Sequence, residues 1–161
     1  MPYVKLDNNG VVIYSSVNNE PETIEAPAGV CCGFILSNGV FSAPPKTTAQ
    51  QLAAEIQGAY TAGLTITSTS TPVVNGTYGI RAQDQQTINA VETFVLKNNA
   101  FPGSSGTSLA YQDQSGTFHV FPSLTIWSEF ANAVANYIAD LKMYAAGAPG
   151  SSLPSNSVTI A

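Results

Sequence analysis

The segment from Leu124 to Tyr144 constrains the fold of this chain more than any other feature. Its apolar residues recur at offsets of three and four through several turns, which predicts an amphipathic α-helix with one face in a core. Ser123 stands before it as an N-cap, because its hydroxyl can accept a backbone N–H bond. We therefore expect a helix over about 123–145 to form one wall of the main core. The apolar positions are Leu124, Trp127, Phe130, Ala131, Val134, Tyr137, Ile138, Leu141 and Tyr144.

A second helix is predicted over about 83–97 by the same spacing of apolar residues. Asp84 lies near its positive N-terminal end and Lys97 near its negative C-terminal end, where each charge favours the helix dipole. The apolar positions are Ile88, Val91, Phe94 and Val95. We expect the first three of these to join the main core.

A strand and a hairpin are predicted ahead of this helix. Leu64–Ser68 alternates apolar and polar residues, as a strand with one buried face does. The pair Asn75-Gly76 separates Pro72–Val74 from Thr77–Ile80. Asn and Gly tolerate the positive φ of two-residue turns, so this stretch predicts a tight hairpin.

A second hairpin is predicted around the polar stretch Gln112–Gly116, between Leu109–Tyr111 and Thr117–Phe121. Isolated hairpins of this length are only marginally stable, so they need helices to pack on. The predicted fold class is therefore α+β, with small antiparallel sheets of short hairpins packed on the two main helices. The α+β module is expected to span residues 64–145.

Residues 1–45 are predicted to be a small N-terminal β region. Two hairpins are expected there, each around Asn and Gly residues. Their strands are Tyr3–Leu6, Val11–Tyr14, Val30–Ile35 and Val40–Ser42. The polar, proline-bearing stretch Asn18–Pro27 is predicted to be a loop.

Residues 46–63 are predicted to be a connecting helix. Thr47 or Thr48 can cap its first turn, and Gly63 can end it. A helix this short is marginal alone, so we expect it to pack on another part of the protein.

Residues 146–161 are predicted to be a C-terminal tail. The stretch opens with small residues and a proline, which is typical of a linker. Ser157–Ile160 either adds a strand to this fold or pairs with the sheet of a partner.

Charged residues make up only 9% of the chain, against about 25% in typical globular proteins. The five cations are scattered and the net charge is −5, so nucleic-acid binding is not expected. No run approaches the roughly 18 apolar residues that cross a bilayer, so membrane insertion is not expected. Asp7 and two asparagines stand where a signal peptide needs apolar residues, so none is predicted.

The only cysteines are the adjacent pair Cys31 and Cys32. In an extended segment their side chains point to opposite faces, so we expect one to pack inward and the other to face out. An intermolecular disulfide through the outward thiol is the alternative. Zinc needs about four ligands, which one histidine does not complete, so no metal site and no cofactor are predicted.

His119 is the only histidine, so a Ser–His–Asp triad would have to include it. Asp113 and Ser123 lie near it in sequence and complete such a triad on paper. His119 alternates with apolar residues on a predicted strand, which favours a structural histidine bonded to a neighbouring polar group. No catalytic, cofactor-binding or metal-binding residue is therefore predicted. Trp127 is predicted to be core rather than a platform for stacking sugars.

Several motifs together resemble a family of phage and prophage proteins with a DUF4376-like domain. The motifs are Leu64–Pro72, Asn75–Tyr78, Ile88–Gly103, Asp113–Gly116, His119–Pro122 and the helix around Phe130. Gly39–Pro45, ahead of a helix rich in Gln and Ala, is similar to the front end of phage tail-fibre assembly proteins. The two resemblances together cover most of residues 1–145.

The resemblance implies a non-enzymatic structural protein of a bacteriophage tail, a tail fibre or tail tip component acting through protein–protein contacts. The expected partners are tail-fibre or other tail proteins, in a homo-oligomer or another symmetric assembly of the virion. One alternative is a tail-fibre assembly chaperone in the host cytoplasm, absent from the mature virion. Another is a glycan-binding host-adhesion module, which exposed Tyr3, Tyr14 or Tyr111 would suit.

Overall fold

The computed structural model describes residues 2–16, 18, 21–32, 34–43, 48–103 and 106–161. The chain forms two compact units, Met1–Thr48 and Ala49–Ala161. Helices and short, mostly antiparallel strands make the fold class α+β, as predicted. The second unit is larger than the expected module of 64–145, because nearly all of the connecting helix and the whole C-terminal tail belong to it.

The first unit is a small β structure. Its strands are β1 (Tyr3–Leu6), β2 (Val12–Ser16), β3 (Ile24–Glu25), β4 (Ile35–Ser37) and β5 (Val40–Ser42). β1 is the central strand of an antiparallel sheet with β2 and β3, and β4 pairs with β5. The buried apolar residues of this unit are Val4, Val12, Ala26 and Val30.

Both predicted N-terminal hairpins form, with two corrections. Asn38 and Gly39 have φ of 51° and 78°, as a two-residue turn between β4 and β5 requires. β4 begins at Ile35 rather than at Val30, because the Phe34 N–H bonds to the Cys31 carbonyl at 3.1 Å instead of joining a strand ladder. The predicted loop Asn18–Pro27 is wrong at β3, which pairs with the edge of β1 that β2 leaves open.

The second unit is built from three helices and two sheets among its described residues. The elements are α1 (Thr48–Ala62), β6 (Leu64–Ser68), β7 (Gly76–Tyr78), α2 (Ala82–Asn98), β8 (Leu109–Gln112), β9 (Phe118–Phe121), α3 (Leu124–Ala145) and β10 (Ser157–Ile160). The helices lie within a few residues of their predicted bounds. Among the helices described, none is both long enough and apolar enough to cross a membrane.

The helix ends follow from local sequence. The Ser123 hydroxyl accepts the Ile126 N–H at 3.3 Å and caps α3, as predicted. Gly63 follows α1 with φ of 74°, and Asn99 follows α2 with φ of 49°, so both helices end in the left-handed conformation. The predicted cap at Thr47 lies outside the described residues.

The three-stranded sheet of the second unit has the strand order β10–β6–β7. The connection between β6 and β7 differs from the prediction. The tight hairpin around Asn75-Gly76 is wrong, because Pro72–Val74 forms a 3-10 turn and β7 pairs with β6 instead. Asn75 has φ of −67°, and its side-chain oxygen accepts the Ser68 N–H at 2.6 Å. This asparagine therefore closes a longer connection through its side chain rather than making a two-residue turn.

The terminal strand β10 pairs in parallel with β6. Ser157–Ile160 thus adds a strand to its own unit, which was the first of the two alternatives. The hydroxyls of Thr67 and Thr159 lie 3.1 Å apart across this pair. The sheet is therefore mixed rather than wholly antiparallel, because a long connection brings the chain back alongside its own β6.

α3 forms one wall of the main core, as predicted. Trp127 is fully buried, and the ring centroids of Phe121 and Phe130 lie 5.1 and 5.3 Å from its own. Phe121 comes from β9, so the aromatic cluster joins the hairpin to the helix. Trp127 is thereby confirmed as a core residue.

The buried face of α2 differs from the predicted one. Phe94 was expected in the core but is 40% exposed, whereas Ile88 and Val95 are buried. These two lie seven residues apart and share the face that packs on α3. Phe94 lies about 100° around the helix from Val95, which turns it toward the edge of the contact.

Candidate functional site

The turn of the β8–β9 hairpin is organised by a single carboxylate. Asp113 Oδ1 accepts the N–H groups of Ser115 and Thr117 at 2.8 and 2.9 Å, and the Ser115 hydroxyl at 2.7 Å. Gly116 completes the turn, donating its N–H to the Asp113 carbonyl at 3.2 Å. The hairpin predicted around Gln112–Gly116 is confirmed, and the aspartate side chain shapes its turn.

His119 connects this turn to the 3-10 turn before β7. Its Nε2 lies 3.1 Å from Asp113 Oδ2, and its Nδ1 donates to the Val73 carbonyl at 2.9 Å. The side chains of His119 and Asp113 are only 12% and 9% exposed. The predicted bond from His119 to a neighbouring polar group is confirmed. Because both ring nitrogens face oxygen atoms of the protein, neither is directed at a serine hydroxyl.

The charge of Asp113 is stabilised by its neighbours. The Ser115 hydroxyl contributes most, and His119 with the N–H groups of Thr117 and Ser115 act in the same direction. Partial burial opposes them, and the pKa of Asp113 is lowered to about 2. The carboxylate is therefore ionised at neutral pH, facing the His119 ring.

Gly76 is required beside this pair for steric reasons. A Cβ at this position would lie 2.8 Å from His119 Nε2 and 3.3 Å from Asp113 Oδ2. The Asn75-Gly76 dipeptide therefore serves a different purpose from the two-residue turn that was predicted. Its glycine leaves room for a histidine that comes from the other hairpin.

Ser123, the third residue of the triad drawn from sequence, stays in its capping role. Its hydroxyl accepts the Ile126 N–H at the start of α3. No hydrogen bond joins it to His119 in the part of the chain that the structure describes. The fold thus brings two of the three residues together and uses them to join two turns.

The outward side of the β8–β9 hairpin is apolar. On β9, Phe118 and Val120 are 67% and 43% exposed, while His119 and Phe121 point inward between them. Ala110 pairs with Val120 across the hairpin and is also exposed. We call the exposed set Ala110, Phe118 and Val120 the hairpin face.

A polar cleft of about 590 Å³ lies beside the hairpin turn and the start of α2. Its lining residues are Thr61, Gly79, Arg81, Gln83, Asp84, Tyr111, Gln112, Asp113 and Gln114. Burial and the nearby Asp84 raise the pKa of Tyr111 to about 12, so its hydroxyl stays protonated. Sequence reasoning missed this cleft, because its walls come from separate segments.

The cysteines and the N-terminal tyrosines lie in the first unit. Cys31 and Cys32 are both free and exposed, so the expectation that one packs inward is wrong. The bond from the Phe34 N–H to the Cys31 carbonyl replaces the extended backbone on which that expectation rested. An intermolecular disulfide stays a prediction. Tyr14 is exposed and Tyr3 is half-buried.

The described residues contain no group of three or more His, Cys, Asp or Glu side chains arranged to hold a metal ion. Comparison with family models, curated proteins and solved structures found no match to this chain. The likeness to phage tail proteins therefore rests on the sequence motifs alone.

Proposed function

We propose that this chain is a non-enzymatic structural protein of a bacteriophage tail, a tail fibre or tail tip component that acts through protein–protein contacts. The sequence motifs supply the phage assignment. The hairpin face is the single structural observation that carries the contact role. The hairpin face packs against a neighbouring subunit of the tail, either another tail protein or a second copy of this chain.

The hairpin face has the character of an interface core. Phe118 and Val120 alternate on one side of β9, and Ala110 lies opposite Val120 on β8. Large apolar side chains exposed side by side mark contact sites, and interface cores are depleted of charge. Asp113 closes the turn of the hairpin, and Phe121 packs on the aromatic cluster beneath it, so the face stands on a well-bonded support.

The scarcity of charge supports the same proposal. Among the described residues there is one lysine–carboxylate ion pair, Lys5–Glu22, and one histidine–carboxylate contact, His119–Asp113. A surface with so few charges repels copies of itself weakly and requires little desolvation of ions when it is buried. Both properties favour a protein that is packed against neighbours in a symmetric assembly.

The geometry of His119 supports a non-enzymatic role. A general base in a triad needs one nitrogen directed at the nucleophile and the other at an orienting acid. His119 instead directs one nitrogen at Asp113 and the other at the Val73 carbonyl. These contacts hold two turns together, which favours a structural histidine.

The first test is quantitative mass spectrometry of particles from the phage or induced prophage that carries this sequence. We expect the protein in a fixed stoichiometry with the known tail subunits. If it is missing from finished particles but bound to an immature fibre, the alternative of an assembly chaperone takes its place. If it is found in neither, the tail assignment is wrong.

The second test examines the hairpin face. Phe118→Gln removes the most exposed aromatic ring of the face, and we expect it to lower the number of copies per particle at least tenfold. Leu96→Gln is the matched control, because Leu96 is also an exposed apolar residue but lies on α2. Equal incorporation of both variants would contradict the assignment of the interface to the hairpin face.

A further inference from the structure

The polar cleft contains hydrogen-bonding groups that the protein does not use. Within the described ranges, three donors lining the cleft have no hydrogen-bond partner: the guanidinium of Arg81, the amide of Gln83 and the hydroxyl of Tyr111. Arg81 and Gln83 are exposed, and Tyr111 is half-buried with its ring against the aromatic core. Groups of this kind are available to a ligand without breaking any bond of the fold.

Two glutamines add acceptors to the cleft. Gln112 Nε2 donates to the Gly116 carbonyl at 2.9 Å, and Gln114 Nε2 donates to the Thr61 carbonyl at 3.4 Å. Each bond uses the amide nitrogen and leaves the amide oxygen free to accept. The cleft therefore presents acceptors alongside its three donors.

Two glycines leave room for side chains of the cleft. Asp84 Oδ2 accepts the Arg81 N–H at 2.9 Å, and a Cβ at Gly79 would lie 2.5 Å from the same oxygen. A Cβ at Gly63 would lie 2.6 Å from Gln114 Nε2. Neither glycine can carry a side chain unless a cleft wall moves. The bond from the Arg81 N–H holds Asp84 in place at the start of α2, which lowers the entropy lost when a ligand binds to it.

The charges of the cleft restrict the class of ligand. Arg81 is the one cation among the lining residues, against the carboxylates of Asp84 and Asp113, so the balance disfavours phosphates and other anions. Both oxygens of Asp113 are already engaged by the turn and by His119. A metal ion would therefore find one free carboxylate oxygen, Asp84 Oδ1. An apolar ligand would leave the polar lining unpaired.

We propose that the polar cleft binds a neutral sugar as part of an oligosaccharide. A sugar hydroxyl both donates and accepts hydrogen bonds, which matches neighbouring donors and acceptors better than a charged group does. The volume of about 590 Å³ lies within the usual range of roughly 300–1,000 Å³ for ligand sites. This inference goes beyond the proposed tail role and does not rest on it, since the hairpin face contributes no residue to the cleft.

The test is an array of neutral and sialylated oligosaccharides probed with the full-length protein, followed by calorimetric titration of the best neutral compound. We expect saturable binding to neutral compounds. Gln83→Ala and Asp84→Asn should each weaken binding about tenfold, because each removes one hydrogen bond or weakens a charged one. Asn at 84 keeps an oxygen that accepts the Arg81 N–H, so the start of α2 is preserved.

Gln86→Ala is the matched control, because Gln86 is exposed on the same helix but does not line the cleft. We expect it to leave the affinity unchanged, with the same melting temperature as the cleft variants. Gly79→Ala should move Asp84 and weaken binding by a similar factor. An array without neutral hits, hits confined to sialylated compounds, or binding that the cleft variants leave unchanged would each overturn the proposal.

Discussion

The two units of this chain reach a folded state with very different cores. Among the described residues, the first unit buries four apolar side chains, of which the largest are valines, whereas the second buries twenty, including Tyr78, Phe121, Trp127 and Phe130. Burial of one large apolar side chain contributes roughly 1.5–3 kcal/mol. Hydrogen bonds within turns therefore contribute a larger share of the stability of the first unit. Side-chain packing contributes most of the stability of the second.

The same contrast appears in what each unit leaves exposed. The first unit exposes Ile13, Ile24 and Val40 from its short strands, because its sheets are too small to enclose them. The second unit exposes the hairpin face although its core is complete. The first unit exposes these residues because its sheets are small. The second unit exposes the hairpin face because apolar residues occupy the outward positions of β9.

The largest expected effect is a loss of stability in the second unit alone. Phe130→Ala removes a fully buried ring of the aromatic cluster, and we expect the second unit to lose about 3–5 kcal/mol of unfolding free energy. The loss is measured by unfolding in denaturant, monitored through the hydrogen exchange of backbone amides in each unit. The first unit should keep its own exchange rates.

Val4→Ala is the mirror experiment in the first unit. Val4 is fully buried at the centre of the small core, and the change should cost about 2 kcal/mol, enough to unfold a marginal β structure. We expect fast exchange in residues 2–43 with the second unit unchanged. If both variants slow or speed exchange equally in the two units, the contrast between their cores is wrong.

A smaller effect tests the joint between the two turns. Gly76→Ala places a methyl group 2.8 Å from His119 Nε2, so we expect His119 to be displaced and the second unit to lose about 1–3 kcal/mol. The chemical shifts of the His119 ring would report the displacement.

Gly58→Ala is the matched control for this change. Gly58 lies within α1, where an added Cβ meets no atom within 4 Å. Alanine should therefore stabilise the helix by about 0.5–1 kcal/mol. Two Gly→Ala changes with the same sign would mean that the contact at His119 is unimportant.

The smallest effect is expected in acid. The pKa of Asp113 lies near 2 in the folded protein against an ordinary value of 3.8, so its contribution to stability is present above about pH 4. It is lost as the pH falls toward 2, because the unfolded chain then binds a proton that the folded protein resists. Urea unfolding of the second unit between pH 2 and 6, with Asp113→Asn as the variant that lacks this slope, measures the effect.

The first unit offers a comparison under the same conditions. The hydrogen bond and charge of Lys5 lower the pKa of Glu22, but this pair is exposed. Salt at 1 M should therefore remove its pH dependence, while that of Asp113, which rests on hydrogen bonds within a turn, persists. Equal sensitivity to salt would contradict this distinction.

The helices were predictable because their signals are local. Apolar spacing located α3 and its buried stripe. Ser123 marked the start of α3 through its hydroxyl, and Gly63 marked the end of α1 through its backbone preference. The buried side of α2 was less predictable, because Phe94 and Val95 both fit an amphipathic pattern. Only the position of α3 decided which of them is covered.

The candidate sites depended on contacts between distant segments. Periodicity placed His119 on a strand next to a polar turn, which was enough to expect a bonded histidine. It did not indicate the Val73 carbonyl or the need for Gly76, which lie more than 40 residues away. The sequence did not predict the polar cleft for the same reason, since Thr61, Asp84 and Gln114 meet only after the chain has folded.

Sequence alone determined the α+β class, the three helices and the low-charge surface, because these follow from composition and from spacings within a few turns of chain. Tertiary structure decided the parallel addition of β10 to β6, the exposure of the hairpin face and the walls of the cleft. Those features arise from long-range pairing and packing, in which each segment has several acceptable partners and the shared core selects one of them.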